Sequence, residues 1–355
     1  MGEIDMKTHK WLVIGAGGMA GNWLRRFLPA HGERVQISGI VDVNADVLEV
    51  ARHDLGLRAD QCFTKMTEAF DTVDADAVAI VVPPQFHREA VENACRRGLP
   101  ILSEKPIAGT WEDVSAIARA VDQAGVRMVV MQNYRYTPRI QTLKKVLDSG
   151  RVGAVRYAVA RFAADYREPL SWGAPFRHEM AHALLVEGSI HHFDQLRHLT
   201  GQDCVSIAGR EWNPGAPSFK GECLALYTMQ FTGGINAQYE GSGLAAGWQN
   251  TWHGEAYRLE CEGGAIVLDR DHVVRIQEHT RGQGMRVEEV PTVSLPFEGH
   301  AAVIGQFMDW MDGGTAPVTT LDDNLHSAAM LFGAIEASAH GTVVDVPALV
   351  ATALA

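Results

Sequence analysis

WLVIGAGGMAG, residues 11–21, sets an apolar run directly against a glycine cluster, and the order of the two decides the fold. Trp11 to Ile14 reads as a buried strand. Gly15-Ala16-Gly17-Gly18-Met19-Ala20 then fits G-x-G-x-x-[G/A]. Gly15 permits a tight turn, Gly17 lets the backbone approach a pyrophosphate, and small Ala20 lets helix and strand pack closely. The helix beyond, entered at Gly18 and Met19, offers free N–H groups and partial positive charge to phosphates. Glycine clusters are common, so the context matters. A strand precedes this one, an amphipathic helix follows, and Asp42 closes the next strand about 22 residues past Ala20. A carboxylate there accepts hydrogen bonds from the adenosine ribose and repels a 2′-phosphate. Asp42-Val43-Asn44 supplies no arginine for such a phosphate, so NAD is expected and NADP is less favoured.

Outward from this turn, the first third of the chain alternates two periods. Near-continuous apolar runs at 11–15, 35–42, 76–83, 100–104 and 127–132 suit strands buried on both faces. Helix-like segments at 19–29, 45–55, 86–97 and 111–124 separate them. Strand–helix alternation implies parallel βαβ units. After about residue 135 the pattern changes. Pro138 opens a helix-like run that Gly150 closes, and strand-like runs follow at 154–163, 222–231, 234–242, 256–262, 265–270 and 272–278. Gly233-Gly234 and Gly263-Gly264 read as hairpin turns, and two helices are expected near 300–312 and 321–339. The expected fold is α/β. Residues 1–135 form an N-terminal Rossmann domain with a doubly wound parallel sheet. Residues 136–355 form a C-terminal α+β domain with an open, largely antiparallel sheet.

Bulk properties narrow the function classes. The 355 residues are 46% hydrophobic and 21% charged, with net charge −12, and no lysine/arginine block is present. That balance argues against nucleic acid and anionic membranes. Five scattered cysteines, odd in number and without a C-x-x-C pair, point to reduced thiols. The N-terminal MGEIDMKTHK lacks an apolar signal core, and no run approaches the ~20 residues that span a bilayer. A cytoplasmic enzyme is expected.

A second stretch, RHEMAHALLVEGSIHHFD at 177–194, is dense in titratable groups. His178-Glu179-Met180-Ala181-His182 fits the zinc-peptidase pattern H-E-x-x-H. The extended motif needs glycine three residues and histidine six residues past His182, where the chain has Leu185 and Gly188. No metal is therefore expected, and His178 and Glu179 read as a solvated helix start. Glu187, His191 and Asp194 stand at i, i+4 and i+7, with His198 a further turn on, so one helix face would carry them. His192 points about 100° away, among residues expected to be buried.

Glu104-Lys105-Pro106, at the end of a strand, joins these signals into a resemblance. With the glycine turn it resembles the Gfo/Idh/MocA family of NAD(P)-dependent oxidoreductases. Val82-Pro83-Pro84-Gln85-Phe86-His87 is similar to that family's T-P-N-x-x-H, Tyr134-Arg135-Tyr136 to its R-[FY] element, and Glu187 to Asp194 to its D-x-G-x-H-x-x-D. The resemblance spans essentially the whole chain. It implies a cofactor site of Gly15, Gly17, Gly18, Met19, Ala20, Asp42, Val82, Pro83, His87, Glu104 and Lys105. It aligns Lys105 with the catalytic lysine, His191 with the catalytic histidine, and Glu187 with a position usually held by aspartate. Arg135, Trp172, His182, Glu187 and His191 are the expected substrate contacts, and Arg177 and His253 are further pocket candidates. Four departures stand out: Glu187 itself, Ser189 at the motif's glycine, Pro84 for asparagine, and Ala181-His182-Ala183 where glycines are frequent.

The chemistry follows from the residue types. Oxidising a secondary alcohol requires the hydroxyl proton to leave with the hydride. His191 is suited to take the proton, Lys105 to stabilise the developing alkoxide, and Glu187 to bind a neighbouring hydroxyl or tune Lys105. The resemblance implies a sugar, inositol or related polyol as substrate, and a homodimer or homotetramer formed through the C-terminal sheet. Two alternatives carry different signatures. A redox-assisted glycosidase or lyase would recycle tightly held NAD and accumulate no NADH. A non-catalytic sugar or dinucleotide sensor would have no need of the Lys105/His191 pair.

Overall fold

A computed structural model describes residues 7–354. Its first unit is built on six parallel strands: β1 (His9–Ile14), β2 (Val35–Val41), β3 (Cys62–Phe63), β4 (Ala77–Ile80), β5 (Ile101–Ser103) and β6 (Met128–Val130). They lie in the order β3-β2-β1-β4-β5-β6, the doubly wound arrangement. Trp11 to Ile14 of β1 and all of β4 are buried, as parallel strands covered on both faces must be. The connecting helices are α1 (Gly18–Asn22), α2 (Ala45–Leu55), α3 (Met66–Thr72), α4 (His87–Arg96) and α5 (Trp111–Ala124). Asn44 caps α2 by accepting from the Asp46 and Val47 amides, and Thr110 caps α5 through the Asp113 amide. The first helix differs from the run expected at 19–29. After α1 the turn widens over Trp23–Phe27, where Leu28 N bonds Trp23 O, and Pro29–Arg34 continues in tighter turns. The widening starts at Trp23, whose indole is fully buried.

The second unit carries a nine-stranded sheet: β7 (Val155–Ala163), β8 (Cys204–Trp212), β9 (Leu224–Phe231), β10 (Asn236–Ser242), β11 (Glu255–Cys261), β12 (Ala265–Leu268), β13 (Val274–Thr280), β14 (Gly284–Val290) and β15 (Val344–Asp345). Its order is β14-β13-β12-β11-β7-β10-β9-β8-β15; β7 and β10 run parallel and the other neighbours antiparallel. Strand β9 alternates strictly, with Ala225, Tyr227, Met229 and Phe231 buried and Leu226, Thr228 and Gln230 exposed. Such alternation marks a sheet with one covered face. On that covered side, Phe193 meets the rings of Tyr227 and Tyr239. The unit's helices are α6 (Pro138–Asp148), α7 (Phe176–Glu179) and α8 (Ile190–Thr200). Phe193 belongs to α8. Helices α9 (Gly299–Met311), α10 (Leu321–His340) and α11 (Val346–Leu354) complete the chain.

The units are not divided by the single cut expected after residue 135. The first takes the chain through Asn133, then Pro296–Leu325 and the chain from Thr352; the second takes Tyr134–Leu295 and His326–Ala351. Helix α9 supplies the physical reason. Its Phe307 ring lies 5.7 Å from that of Trp11, Ala301 O meets His31 Nε2 at 2.9 Å, and Asp312 pairs with Arg34 at 2.9 Å.

Candidate active site

Strand β1 delivers the chain into the glycine turn at the point where the strand order reverses, between β1 and β4, which is where open α/β sheets bind ligands. Gly15 has φ 108°, and a Cβ there would sit 2.2 Å from Val81 O, so no other residue fits. Asp42 faces the turn. Its Oδ2 accepts from Ala16 N at 3.0 Å and Gly17 N at 3.2 Å, and its Oδ1 accepts from Asn44 N at 3.0 Å. Beside it lies a cavity of about 640 Å³ lined by Ala16, Gly17, Gly18 and Gly21, by Asn22, Arg25 and Arg26, and by Asp46, Val47 and Val50. A backbone floor, cationic side chains and a fixed carboxylate fit a dinucleotide, in a volume ordinary for a cofactor pocket. Ala20 is buried, and Met19 is exposed. Sequence reasoning missed Arg25 and Arg26; the signal was there, two cations shortly after the glycine turn.

Lys105 follows the carboxyl end of β5. Its neighbour Glu104 is buried and held from several sides: Oε1 accepts from Trp23 Nε1 at 2.8 Å and meets His300 Nε2 at 3.1 Å, and Oε2 accepts from Lys105 N at 3.3 Å. Burial pushes the Glu104 carboxyl up, but His300, the Lys105 charge and Trp23 together outweigh it and hold its pKa below the ordinary value. His300 stacks on Phe27 at 4.3 Å and meets Asn133 at 3.3 Å. The side chain before Lys105 is thus locked, which limits where the lysine can start from. His87 is wholly buried, with Nε2 2.8 Å from Val82 O and Nδ1 3.1 Å from Ile107 O. Both ring nitrogens face backbone carbonyls, and the neutral ring donates to one of them. His87 therefore positions the Val82–Pro83 loop and the segment after Lys105, and does not itself reach outward.

In the second unit His191 opens α8, buried, its ring stacked on Tyr134 at 3.9 Å with the planes 8° apart. The Tyr134 hydroxyl donates to Trp252 O at 2.8 Å. Glu187 lies just before, in a widened turn over Leu184–Ser189, and pairs with Arg177 Nε at 2.8 Å. The guanidinium of Arg177 sits 4.7 Å from the Trp252 ring. The single regular helix face expected for Glu187, His191 and Asp194 is thus interrupted by a wider turn. Arg135 is not a surface contact. It is 3% exposed and grips Asp194 bidentately, 2.6 Å on each arm, while Asp194 also accepts from Ser327. Trp172, expected at the substrate, is a core residue. It is fully buried, stacked 4.8 Å from Tyr166 and packed against Trp252 and Phe219.

The H-E-x-x-H stretch forms no helix face. α7 ends at Glu179, and His182 takes a left-handed φ of 54°. His178 is buried rather than solvated: Nδ1 meets Ser218 O at 2.8 Å and Nε2 accepts from Trp172 N at 3.2 Å. Glu179 is exposed and pairs with Lys220. The His182 ring turns to Glu211 and Glu222, neither of which the sequence reading singled out. His253 stacks near Tyr134 and stands 3.5 Å from the buried Glu255.

Known proteins share this design. The model described as "Oxidoreductase family, NAD-binding Rossmann fold" matches residues 9–132, and the "GFO/IDH/MocA C-terminal domain" matches residues 140–267. An uncharacterized protein of Sinorhizobium fredii, y4oX, is 39% identical over 349 residues, covering 96% of each chain. D-apiose dehydrogenase of Rhizobium rhizogenes is 23% identical, covering 98% of this chain and all of its own. An Agrobacterium radiobacter oxidoreductase solved with NAD⁺, L-tartaric acid and magnesium superposes with a TM-score of 0.86 at 23% identity, covering 97% of this chain and 100% of its own. Motif, strand order and whole-chain similarity coincide, and the chain belongs to the Gfo/Idh/MocA family of oxidoreductases with an NAD-binding Rossmann fold.

Proposed function

We propose that the chain is a dehydrogenase acting on a secondary alcohol, or the matching ketone, of a sugar, inositol or related polyol. NAD, when bound, supplies the hydride acceptor. Gly15, Gly17, Gly18 and Met19 hold its phosphates through backbone groups, and Asp42 receives the ribose hydroxyls. His191 takes the proton of the substrate hydroxyl at a ring nitrogen. Lys105 donates a hydrogen bond to the same oxygen and stabilises the charge that develops there. Glu187, fixed by Arg177, accepts from a neighbouring hydroxyl, which favours substrates with adjacent hydroxyls. The observation that carries this reading is Asp42, a carboxylate fastened to the amides of the glycine turn where a ribose is recognised. The sugar dehydrogenase among the relatives supports the substrate class.

The test is absorbance at the NADH band across a panel of aldoses, inositols and glycosides, with NAD and NADP in parallel. A substrate that yields stoichiometric NADH is expected. Lys105→Ala should lower turnover by about a thousandfold with NAD affinity nearly unchanged. Full turnover by Lys105→Ala would remove Lys105 from the mechanism. We further propose a cytoplasmic homodimer or homotetramer associating through the exposed face of the nine-stranded sheet. Light scattering on the purified chain should give two or four times its 38.7 kDa mass. A monomer at micromolar concentration would refute it.

A further inference from the structure

His182 stands among carboxylates that hydride transfer does not use. Its Nδ1 lies 2.6 Å from Glu211 Oε1 and 3.5 Å from Glu222 Oε2, and one donor atom from each of the three residues lies within 4.8 Å of the others. Three separated pieces of the second unit meet to make this group. β8 carries Glu211, the segment leading into β9 carries Glu222, and the loop after α7 carries His182. Gly221 permits the approach: a Cβ there would lie 2.4 Å from Met180 O. The His182 backbone N–H donates to Glu222 Oε2 at 3.1 Å, pinning that carboxylate beside the ring.

The charges do not close by themselves. The Glu211 side chain is only 2% exposed, and its Oε2 is buried with no hydrogen-bond partner among the described residues. Leaving a buried acceptor unsatisfied costs about 1–3 kcal/mol, and more when it is charged. A protonated His182 offers one N–H at Nδ1 and one positive charge against two carboxylates. A divalent ion bound between the two carboxylates would balance both charges.

We infer that His182, Glu211 and Glu222 form a binding site for a divalent cation of the Zn²⁺ or Mn²⁺ kind, with water completing the coordination. One imidazole nitrogen and two carboxylate oxygens suit such ions. In a tetrahedral site with bonds near 2.0 Å, donor atoms stand about 3.3 Å apart. The separations of 2.6 and 3.5 Å from His182 straddle that value, so side-chain rotation admits the ion without rebuilding the backbone. His182 and Glu222 are about one-third exposed, at 36% and 34%, and leave a path from solvent. The site is not the peptidase pair of the sequence pattern, because both ring nitrogens of His178 are committed to backbone groups. His182 lies two residues before the widened turn that carries Glu187. A bound ion would therefore tie β8 and the entry to β9 to the segment that presents Glu187, a structural role independent of the dehydrogenase reading.

Calorimetric titration of the metal-stripped full chain with ZnCl₂, and separately with MnCl₂, tests the site. One saturable site per chain is expected for at least one ion near neutral pH. The heat should vary with the buffer's ionisation enthalpy, because the ion displaces the His182 proton. His182→Asn and Glu222→Gln should each weaken binding by about tenfold or more. Glu222 is partly exposed, so Glu222→Gln should melt like the wild type without metal, and its loss of binding then reports on the ion alone. Absence of saturable binding up to about 1 mM of either ion overturns the site. So does equal affinity in wild type and Glu222→Gln, or a loss confined to Glu179→Gln.

Discussion

In the proposed reading, a single carboxylate, Asp42, bears the choice of cofactor. Two turn amides and the Asn44 amide aim it, so its position does not depend on a flexible rotamer. A hydrogen bond to a charged group contributes about 1.5–3 kcal/mol, or ten- to a hundredfold in affinity. Asp42→Ala should raise the KM for NAD by roughly that factor and raise the kcat/KM for NADP relative to NAD. An unchanged ratio would show that the cavity arginines, not Asp42, set the preference. The tight turn at Gly15 was legible in the sequence because it answers to local backbone physics. The partners of Glu104 were not: Trp23 and His300 stand 81 and 196 residues away along the chain. The full burial of Trp172 was hidden for a related reason. Nothing in the residues around an indole distinguishes one facing a pocket from one buried against Tyr166 and Trp252.

At the scale of elements, α8 is held by charge and by a neutral imidazole. Arg135 and Asp194 are 3% and 1% exposed, so their ion pair is almost wholly desolvated. Removing one partner takes away the bidentate counter-charge of the other in a desolvated site. Asp194→Asn should destabilise the fold by about 3–5 kcal/mol in urea unfolding, whereas replacing both partners with apolar residues should cost much less. A loss below about 1 kcal/mol in the single variant would show that water reaches the arginine. The sequence offered Arg135 as a substrate contact because its ion-pair partner lies 59 residues away, on another element. The periodicity of 187–198 located α8, yet not the wider turn over Leu184–Ser189, since a one-residue expansion leaves the apolar spacing nearly intact. One turn into α8, burial pulls the His192 imidazole down to about 4, with Nδ1 3.2 Å from the Tyr239 hydroxyl. The unfolded value is near 6.5, so between about pH 6.5 and 4 the unfolded chain binds a proton that the folded chain refuses. Stability is complete above that window and falls as pH drops through it. The His192 share should be about 2 kcal/mol between roughly pH 7.5 and 5. Wild type compared with His192→Gln in urea at both pH values isolates it. Parallel losses in the two proteins would assign the acid sensitivity elsewhere.

For the molecule as a whole, the organisation of the first unit was only half visible. Strand–helix alternation is a repeating local signal, so the six-stranded sheet could be read residue by residue. The return of α9 could not, because an amphipathic helix does not declare which apolar surface it will cover. Val303, Ile304, Phe307 and Met308 of α9 are fully buried. At about 1.5–3 kcal/mol for each side chain, their burial is worth roughly 6–12 kcal/mol, as much as the whole stability of an ordinary domain. Polar ties add to it. Asp312 is buried beside His9 and Arg34, and His300 supplies a donor to Glu104. A fragment ending at Asn133 would bare Trp11, leave Arg34 and His9 without Asp312, and loosen the residue before Lys105. Residues 1–133 alone should therefore lack a cooperative thermal transition by circular dichroism and bind NAD weakly or not at all. The same fragment with residues 296–325 attached through a flexible linker should recover both properties. If 1–133 alone melts cooperatively at the temperature of the full chain and binds NAD equally well, α9 is a cover and not part of the core. The dinucleotide-binding fold would then be complete in the first third of the chain.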